Sequence, residues 1–506
     1  MLRHVPDLRL LGTPVATLVA AIAALSVLGA GPLTAQTYDA LIRNARVVDG
    51  TGNPWYRADI GISGERIVAI GDLDAASAEL IIDAEGLWVA PGFIDTHSHA
   101  SGGLASADRS PARPQLAQGV TTVFVNPDGG GQVDIAAQQD SLLKDGLGVN
   151  VAQFVPHGSV RSAVLGSQDR LASAQELDRM RDLVRTGMEA GAWGLSSGPF
   201  YAPGSYSDTN ELVELAKVVA PWGGAYQSHV RDESDYSIGV VAALDEVITV
   251  AREAGIPGVH THIKVLGPPV WGFSQALVAR VERARDAGTE VYADQYPYLA
   301  SATGLGAALL PRWAQADGPR ALQERLADPE TRARIREDME ENLARRGGAD
   351  RIQFRYVEDL EEFEGRLLSD LAEAWGVHPL DAALRLFEYT SPSIVSYNMH
   401  EDDVRRLMVQ PWTMTASDGS LPVWQSGVPH PRAYGAFARK IRRYVVEEGV
   451  VSLEDAVRSM TGLPATVFRM PERGLVREGM IADLVVFDLE AVRDVAEFTD
   501  PHPLSA

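Results

Sequence analysis

From residue 86 the chain repeats one pattern: a short apolar run, a polar or glycine-rich cluster, then an amphipathic stretch. The runs are GLWVAPGFIDTHSH (from 86), GVTTVFVNPDG (119–129), NVAQFVPHGS (150–159), GAWGLSSG (191–198), GAYQSHVRDE (224–233), GVHTHIKV (258–265), EVYADQYPY (290–298) and PWTMTASDG (411–419). Between them, stretches such as SAQELDRMRDLVRTGMEAG and SQALVARVERARDAG place apolar residues at helical spacing. Strands alternating with helices are parallel strands. Eight such units predict an α/β fold, a (β/α)8 TIM barrel over residues 86–464, whose site lies where the polar clusters fall, at the carboxyl ends of the strands.

Two regions stand outside this repeat. Residues 37–85 and the stretch 474–489 (GLVREGMIADLVVFDL) alternate apolar and polar positions between glycine-rich turns, as short antiparallel strands do. Together they predict a small β-domain built from both chain ends, 37–85 and 465–495. Residues 305–378 form an insertion after the seventh strand with a charged helical stretch. It reads equally as a solvated helix pair or as a lid over the barrel mouth.

Residues 1–36 read as a leader: Arg3 and Arg9 precede an apolar run from Val15 to Leu28, with small residues before a cut after Ala35. That run is shorter than the ~20 residues of a membrane span, so the expectation is a secreted or periplasmic protein with no stable span after processing. The chain has no cysteine, hence no disulfide and no lipid-anchored N-terminal cysteine. A formal charge of −23 repels phosphate backbones and excludes a nucleic-acid partner. An anionic substrate would need cations gathered locally. The oligomeric state is left open.

The histidines mark the chemistry. His97 and His99 alternate at the end of the first strand, so their side chains point to one side. His229 ends the fifth strand, His262 the sixth and Asp418 the eighth. Five such groups converging on one mouth predict a site for one or two divalent metals. His157 and His260 are candidates for outer bracing, with His260 an alternative ligand. His378, His400, His430 and His502 fall in loops or near helices and are not expected as ligands.

These motifs resemble the amidohydrolase superfamily, and within it the D-aminoacylase (N-acyl-D-amino-acid deacylase) family. The likeness runs from about residue 38 to 490 and includes PGFIDTHSH, PHGSVR, GAWGLSSG, SHVRDE, THIKVLG, DQYPY, SDG, HPRAYGAF, SMTGLPA and GMIADLVVFD. The resemblance implies zinc, with His97, His99 and Asp418 on one metal and His229 and His262 on the other. Such proteins carry a cysteine ligand after the second strand; here the segment reads VFVNPDG, and aligning its glycine puts Asp128 at that place. A carboxylate keeps the −1 charge of a thiolate but is harder, which brings Mn²⁺ or another metal into range. The implied reaction is hydrolysis of a linear amide in N-acyl-D-amino acids, or dipeptides ending in a D-residue, by metal-activated hydroxide with Asp418 as general acid and base. The substrate is then a small anionic amide, its carboxylate held by Lys264 and Arg432 with Tyr296 and Ser301. Two alternatives remain: a cyclic-amide hydrolase of the hydantoinase or dihydroorotase kind, which uses a fourth-strand lysine that GAWGLSSG lacks, and a non-catalytic binding barrel.

Overall fold

The computed structural model describes residues 37–505, so the leader reading falls outside the described residues. At the amino end, β1 (Thr37–Val47), β2 (Tyr56–Ser63), β3 (Arg66–Gly71), β4 (Ser77–Asp83) and β5 (Trp88–Pro91) form one sheet, completed by β20 (Leu484–Phe487). Sequence alternation predicts antiparallel strands here. β1–β2, β2–β3 and β5–β20 are antiparallel, but β4 and β5 run parallel to β1. The difference is physical: alternation fixes which face is buried, while strand direction depends on how the connection returns.

The run beginning at residue 86 divides. Its first part, β5, belongs to the small sheet, and the barrel begins with β6 (Phe93–Asp95). Gly92 makes the corner; a Cβ there would lie 2.2 Å from the Thr121 hydroxyl, so only glycine passes.

Eight strands then circle the molecule. β6 continues as β7 (Ser98–His99), and is followed by β8 (Val120–Val125), β9 (Asn150–Gln153) continued as β10 (Val155–Pro156), β11 (Gly194–Ser197), β12 (Ala225–Ser228), β13 (Gly258–His260) and β14 (Val291–Gln295). The eighth is β18 (Thr413–Thr415) with its extension β19 (Gly419–Ser420). All neighbouring pairs are parallel, and the β19–β7 pairing returns the ring to its start. The fold is a (β/α)8 barrel with a small β-domain.

The helices form for local reasons as well as for packing. Helix Ala174–Glu189 opens with a capping box: Ser173 accepts from the Glu176 amide while the Glu176 carboxylate accepts from Ser173. Its buried side, Met180, Val184 and Met188, follows the helical period.

Three further strands leave the barrel's plan. β15 (Ser301–Gly304), β16 (Ile352–Tyr356) and β17 (Ser393–Ser396) make an antiparallel sheet in the order β15-β17-β16. Helices Leu305–Leu309, Pro319–Ala327, Pro329–Arg345 and Leu368–Trp375 pack with it around a separate core including Leu309, Ile335, Phe354 and Leu371. The inserted unit therefore reaches beyond the expected 305–378, from β15 to β17, because its strands pair with each other around one core, and its sheet borders the barrel mouth. Among the described residues, no helix is long and apolar enough to cross a membrane.

Candidate metal centre

The side chains that the strand ends present meet at the floor of a cavity of about 760 Å³. His97 Nε2 lies 3.3 Å from Asp128 Oδ1 and 3.5 Å from Asp418 Oδ1. His99 Nε2 lies 3.2 Å from Asp128 Oδ2 and 3.1 Å from Asp418 Oδ1. A second group adjoins: His262 Nε2 is 3.6 Å and His229 Nδ1 3.9 Å from Asp128 Oδ1, with 2.9 Å between those two ring nitrogens. His97, His99, Asp128 and Asp418 thus form one donor group, and Asp128, His229 and His262 another. Asp128 belongs to both.

These donors fit a metal ion. Zinc with arms of ~2.1 Å in a tetrahedron has donor–donor edges of about 3.4 Å, and the first group's separations bracket that figure. Nitrogen and carboxylate oxygen are donors that zinc accepts. Both ring nitrogens of His97, Asp128 Oδ1 and His229 Nε2 are buried without a hydrogen-bond partner, an arrangement costly unless something else binds there.

The backbone is bent to present them. Asp128, His262 and Asp418 have φ of 55°, 37° and 49°, left-handed conformations that non-glycine residues rarely adopt. Such strain, about 1–3 kcal/mol each, persists where surrounding structure imposes it and clusters at functional sites. Gly198, just after β11, seats the Asp128 loop: a Cβ there would lie 2.2 Å from the Asp128 carbonyl oxygen. Ser417 donates to Asp95 through both backbone and hydroxyl, and the Asp418 amide donates to the His97 carbonyl at 2.9 Å, so the first and eighth strands fix each other's donors.

Electrostatics keep the carboxylates ionised. Burial alone would raise Asp418, but Arg432, His262 and His97 outweigh it and hold its carboxyl well below the usual range. Burial likewise opposes ionisation of Asp128, and His97, His262 and His99 overcome it. His229 is pushed down to about 3, burial being the main cause, so its ring is neutral and available as a donor.

The sequence-expected residues arrive together. Lys264, Tyr296, Ser301 and Arg432 all border the cavity, with five of the six donors; His97 lies fully buried behind them. Arg432 Nη1 sits 2.8 Å from Asp418 Oδ2, at an angle that leaves it without a hydrogen bond, and its guanidinium lies 4.8 Å from the Tyr296 ring centre. Lys264 is differently engaged. Its Nζ donates to Glu233 Oε1 at 2.5 Å and lies 2.6 Å from His262 Nδ1. Ser301 exchanges hydrogen bonds with the Asn398 amide.

Glu233 went unnoticed in sequence, although it lies four residues past His229 in SHVRDE. Its Oε1 is 3.1 Å from His262 Nδ1, placing a carboxylate behind a ring whose Nε2 faces Asp128. Arg355 and Arg346 were missed too, since both lie in the insertion and reach the cavity only through tertiary structure. His157 bonds Glu211 at 2.8 Å, beside Arg161, and braces helices rather than the cavity. His260 is buried with both nitrogens unpaired and belongs to neither donor group. His430 borders the cavity, but its Nε2 pairs with the Ala300 carbonyl at 2.9 Å and its Nδ1 accepts from the Arg432 amide.

Comparison with known proteins agrees with this geometry. A model described as the amidohydrolase family matches residues 80–504. Two curated proteins of Alcaligenes xylosoxydans xylosoxydans are similar almost end to end. N-acyl-D-glutamate deacylase is 36% identical, covering 92% of this chain and 91% of its own length; D-aminoacylase is 34% identical, covering 93% and 92%. The solved N-acyl-D-glutamate deacylase of Bordetella bronchiseptica, complexed with zinc and a phosphonate mimic of the tetrahedral intermediate, superposes with a TM-score of 0.79. It is 34% identical over 93% of this chain and 94% of that one.

Proposed function

Because this chain belongs to the amidohydrolase family, we propose that it is a metal-dependent deacylase hydrolysing the linear amide of N-acyl-D-amino acids. The observation that carries this reading is Asp128, shared by two donor groups at the floor of a cavity that also holds Arg432 and Tyr296. His97, His99 and Asp418 would hold one divalent ion and His229 and His262 the other, with Asp128 between them and zinc the ion of the solved relative. When bound, such an ion supplies Lewis acidity that makes hydroxide available near neutral pH and polarises the amide carbonyl.

The chain's own groups do the rest. Asp418 takes the proton of the attacking water and delivers it to the departing amine nitrogen. Its other oxygen faces Arg432, which keeps the carboxylate ionised and oriented between transfers. Glu233 lies 3.1 Å from His262 Nδ1, and Lys264 Nζ donates to Glu233 while lying 2.6 Å from that nitrogen, so the pair fixes the ring with Nε2 outward. Arg432, with the Tyr296 hydroxyl, holds the substrate's α-carboxylate. Lys264 reaches that carboxylate only as a second partner beside Glu233, so Arg432 carries most of the charge there.

The family's cyclic-amide hydrolases depend on a fourth-strand lysine, and β11 and its flanks, residues 191–198, have none. Export to the periplasm or medium belongs to the same proposal, supported by the basic and apolar pattern of residues 1–36.

The α-carboxylate clamp gives a test. Charge-assisted hydrogen bonds are worth roughly 1.5–3 kcal/mol, so Arg432→Met should lower kcat/KM for an N-acetyl-D-amino acid roughly 10- to 150-fold. The matching α-amide should be a poor substrate already and be made little worse. An amide turned over by wild type as fast as the acid would contradict the clamp and turn the reading toward a neutral or cyclic substrate.

A further inference from the structure

Resting on the deacylase reading and going beyond it, we propose that the preferred substrate carries a second carboxylate, and that Arg355 binds it. Arg355 stands on β16, whose register against β17 slips between Phe354 and Tyr356. A bulge of this kind bends the strand and re-aims the extra side chain. Phe354 enters the insertion's core, whereas Arg355 borders the cavity beside Thr303 of β15 and Ser393 of β17. One face of the small sheet is thus a cavity wall bearing one cation and two hydroxyls.

That cation has no carboxylate of its own. Among the described residues none forms an ion pair with Arg355, and its Nε is buried with no hydrogen-bond partner. A chain of net charge −23 has carboxylates in excess, and a desolvated, unpaired guanidinium is costly. Burial, with Arg432 nearby, lowers its pKa to about 10, which leaves it charged at neutral pH.

Two of the other three cavity cations have a carboxylate beside them. Lys264 is matched by Glu233, and Arg432 stands between Asp418 and the proposed α-carboxylate site. Arg346 also borders the cavity and its Nη1 is buried without a partner, but the side chain is 1% exposed and its Nε is committed to the Tyr236 hydroxyl at 2.9 Å, so it has less freedom than Arg355 to turn toward a ligand. Arg355 is left facing the cavity with donors to spare, and its planar fork suits a carboxylate. That carboxylate could sit on the side chain of the D-residue or on the acyl group; the chemistry of recognition is the same.

Two substrate pairs separate these sources: N-acetyl-D-glutamate against N-acetyl-D-glutamine, and N-succinyl-D-alanine against N-butyryl-D-alanine. With the metal-loaded enzyme, the acidic member of one pair should show kcat/KM about 10- to 150-fold above its neutral partner. The pair that responds locates the carboxylate. Product inhibition should follow, by D-glutamate over D-glutamine or by succinate over butyrate. Arg355→Met should bring the ratio near one, and Arg355→Lys should retain part of it, with thermal melts confirming that both variants fold. Ratios near one in wild type, or a ratio that survives in Arg355→Met, would overturn the inference and leave the deacylase reading standing. If the loaded enzyme hydrolyses none of the four compounds, nor N-acetyl-D-methionine, the deacylase reading itself fails and takes the inference with it.

Discussion

Asp128 is the residue on which the proposed centre turns, since both donor groups close on it. Asp128→Ala should lower the metal bound per chain, measured by elemental analysis of protein purified without chelator. Asp128→Cys, which restores a −1 ligand, should keep it and shift preference toward zinc. Unchanged metal content in the alanine variant would remove Asp128 from the centre. Asp418→Asn keeps shape and loses the base. Turnover should fall about 10²- to 10⁴-fold with the melting temperature little changed, and a loss of only a few-fold would assign the proton to another group. Glu233→Gln should reduce metal affinity or activity about 10- to 100-fold; wild-type values for both would show that His262 needs no carboxylate behind it. At this scale the sequence was legible where a residue's strand position alone gives its direction. His97 and His99 alternate, and His229, His262 and Asp418 follow strands directly. Asp128 needed the family alignment, because a Pro-Asp-Gly turn is equally good as a mere turn. Glu233 and Arg355 were not legible: one acts through His262 and the other depends on a bulge between two insertion strands.

Among the elements, the eight barrel strands were visible as apolar runs with polar ends, and each appears in the structure, shorter than its run. The β15–β17–β16 sheet was not visible. Its strands lie far apart in sequence, and each is only four or five residues long, too short for alternation to stand out from the surrounding helices. The segment after the eighth strand holds another feature that pattern alone does not show. Lys440 is buried, and its Nζ donates to Thr415 and Ser459 hydroxyls at 2.8 Å, with no carboxylate bonded to it. Burial lowers its pKa to about 7 from an ordinary 10.5. Between those values the unfolded chain binds the proton that the folded chain has released, so this group's contribution to stability rises with pH across that window. Lys440→Met should therefore melt above wild type at pH 6, by a margin that shrinks toward pH 10. A margin independent of pH would mean that Lys440 is not strained by its charge.

For the whole molecule, the charge distribution is uneven in an informative way. The chain carries a formal −23, yet the cavity at the candidate metal centre gathers Lys264, Arg346, Arg355 and Arg432 against Asp128, Glu233 and Asp418. Composition predicted that an anionic substrate would need local cations; it could not say how many, because two of the four come from the insertion. The barrel carries the candidate metal donors and the proposed base, and the insertion's sheet forms part of the cavity wall. A non-catalytic barrel would have no reason to keep Asp418, three strained donor residues and unpaired buried ring nitrogens together. The most direct measurement is a liberated-amine assay of purified protein against matched N-acyl-D- and N-acyl-L-amino acids, as isolated, after chelation, and after reloading with zinc. The account predicts release of the D-amino acid in preference to the L form, abolished by chelation and restored by zinc. Full activity after complete metal removal, or no hydrolysis of any N-acyl-D-amino acid by the loaded protein, would contradict it.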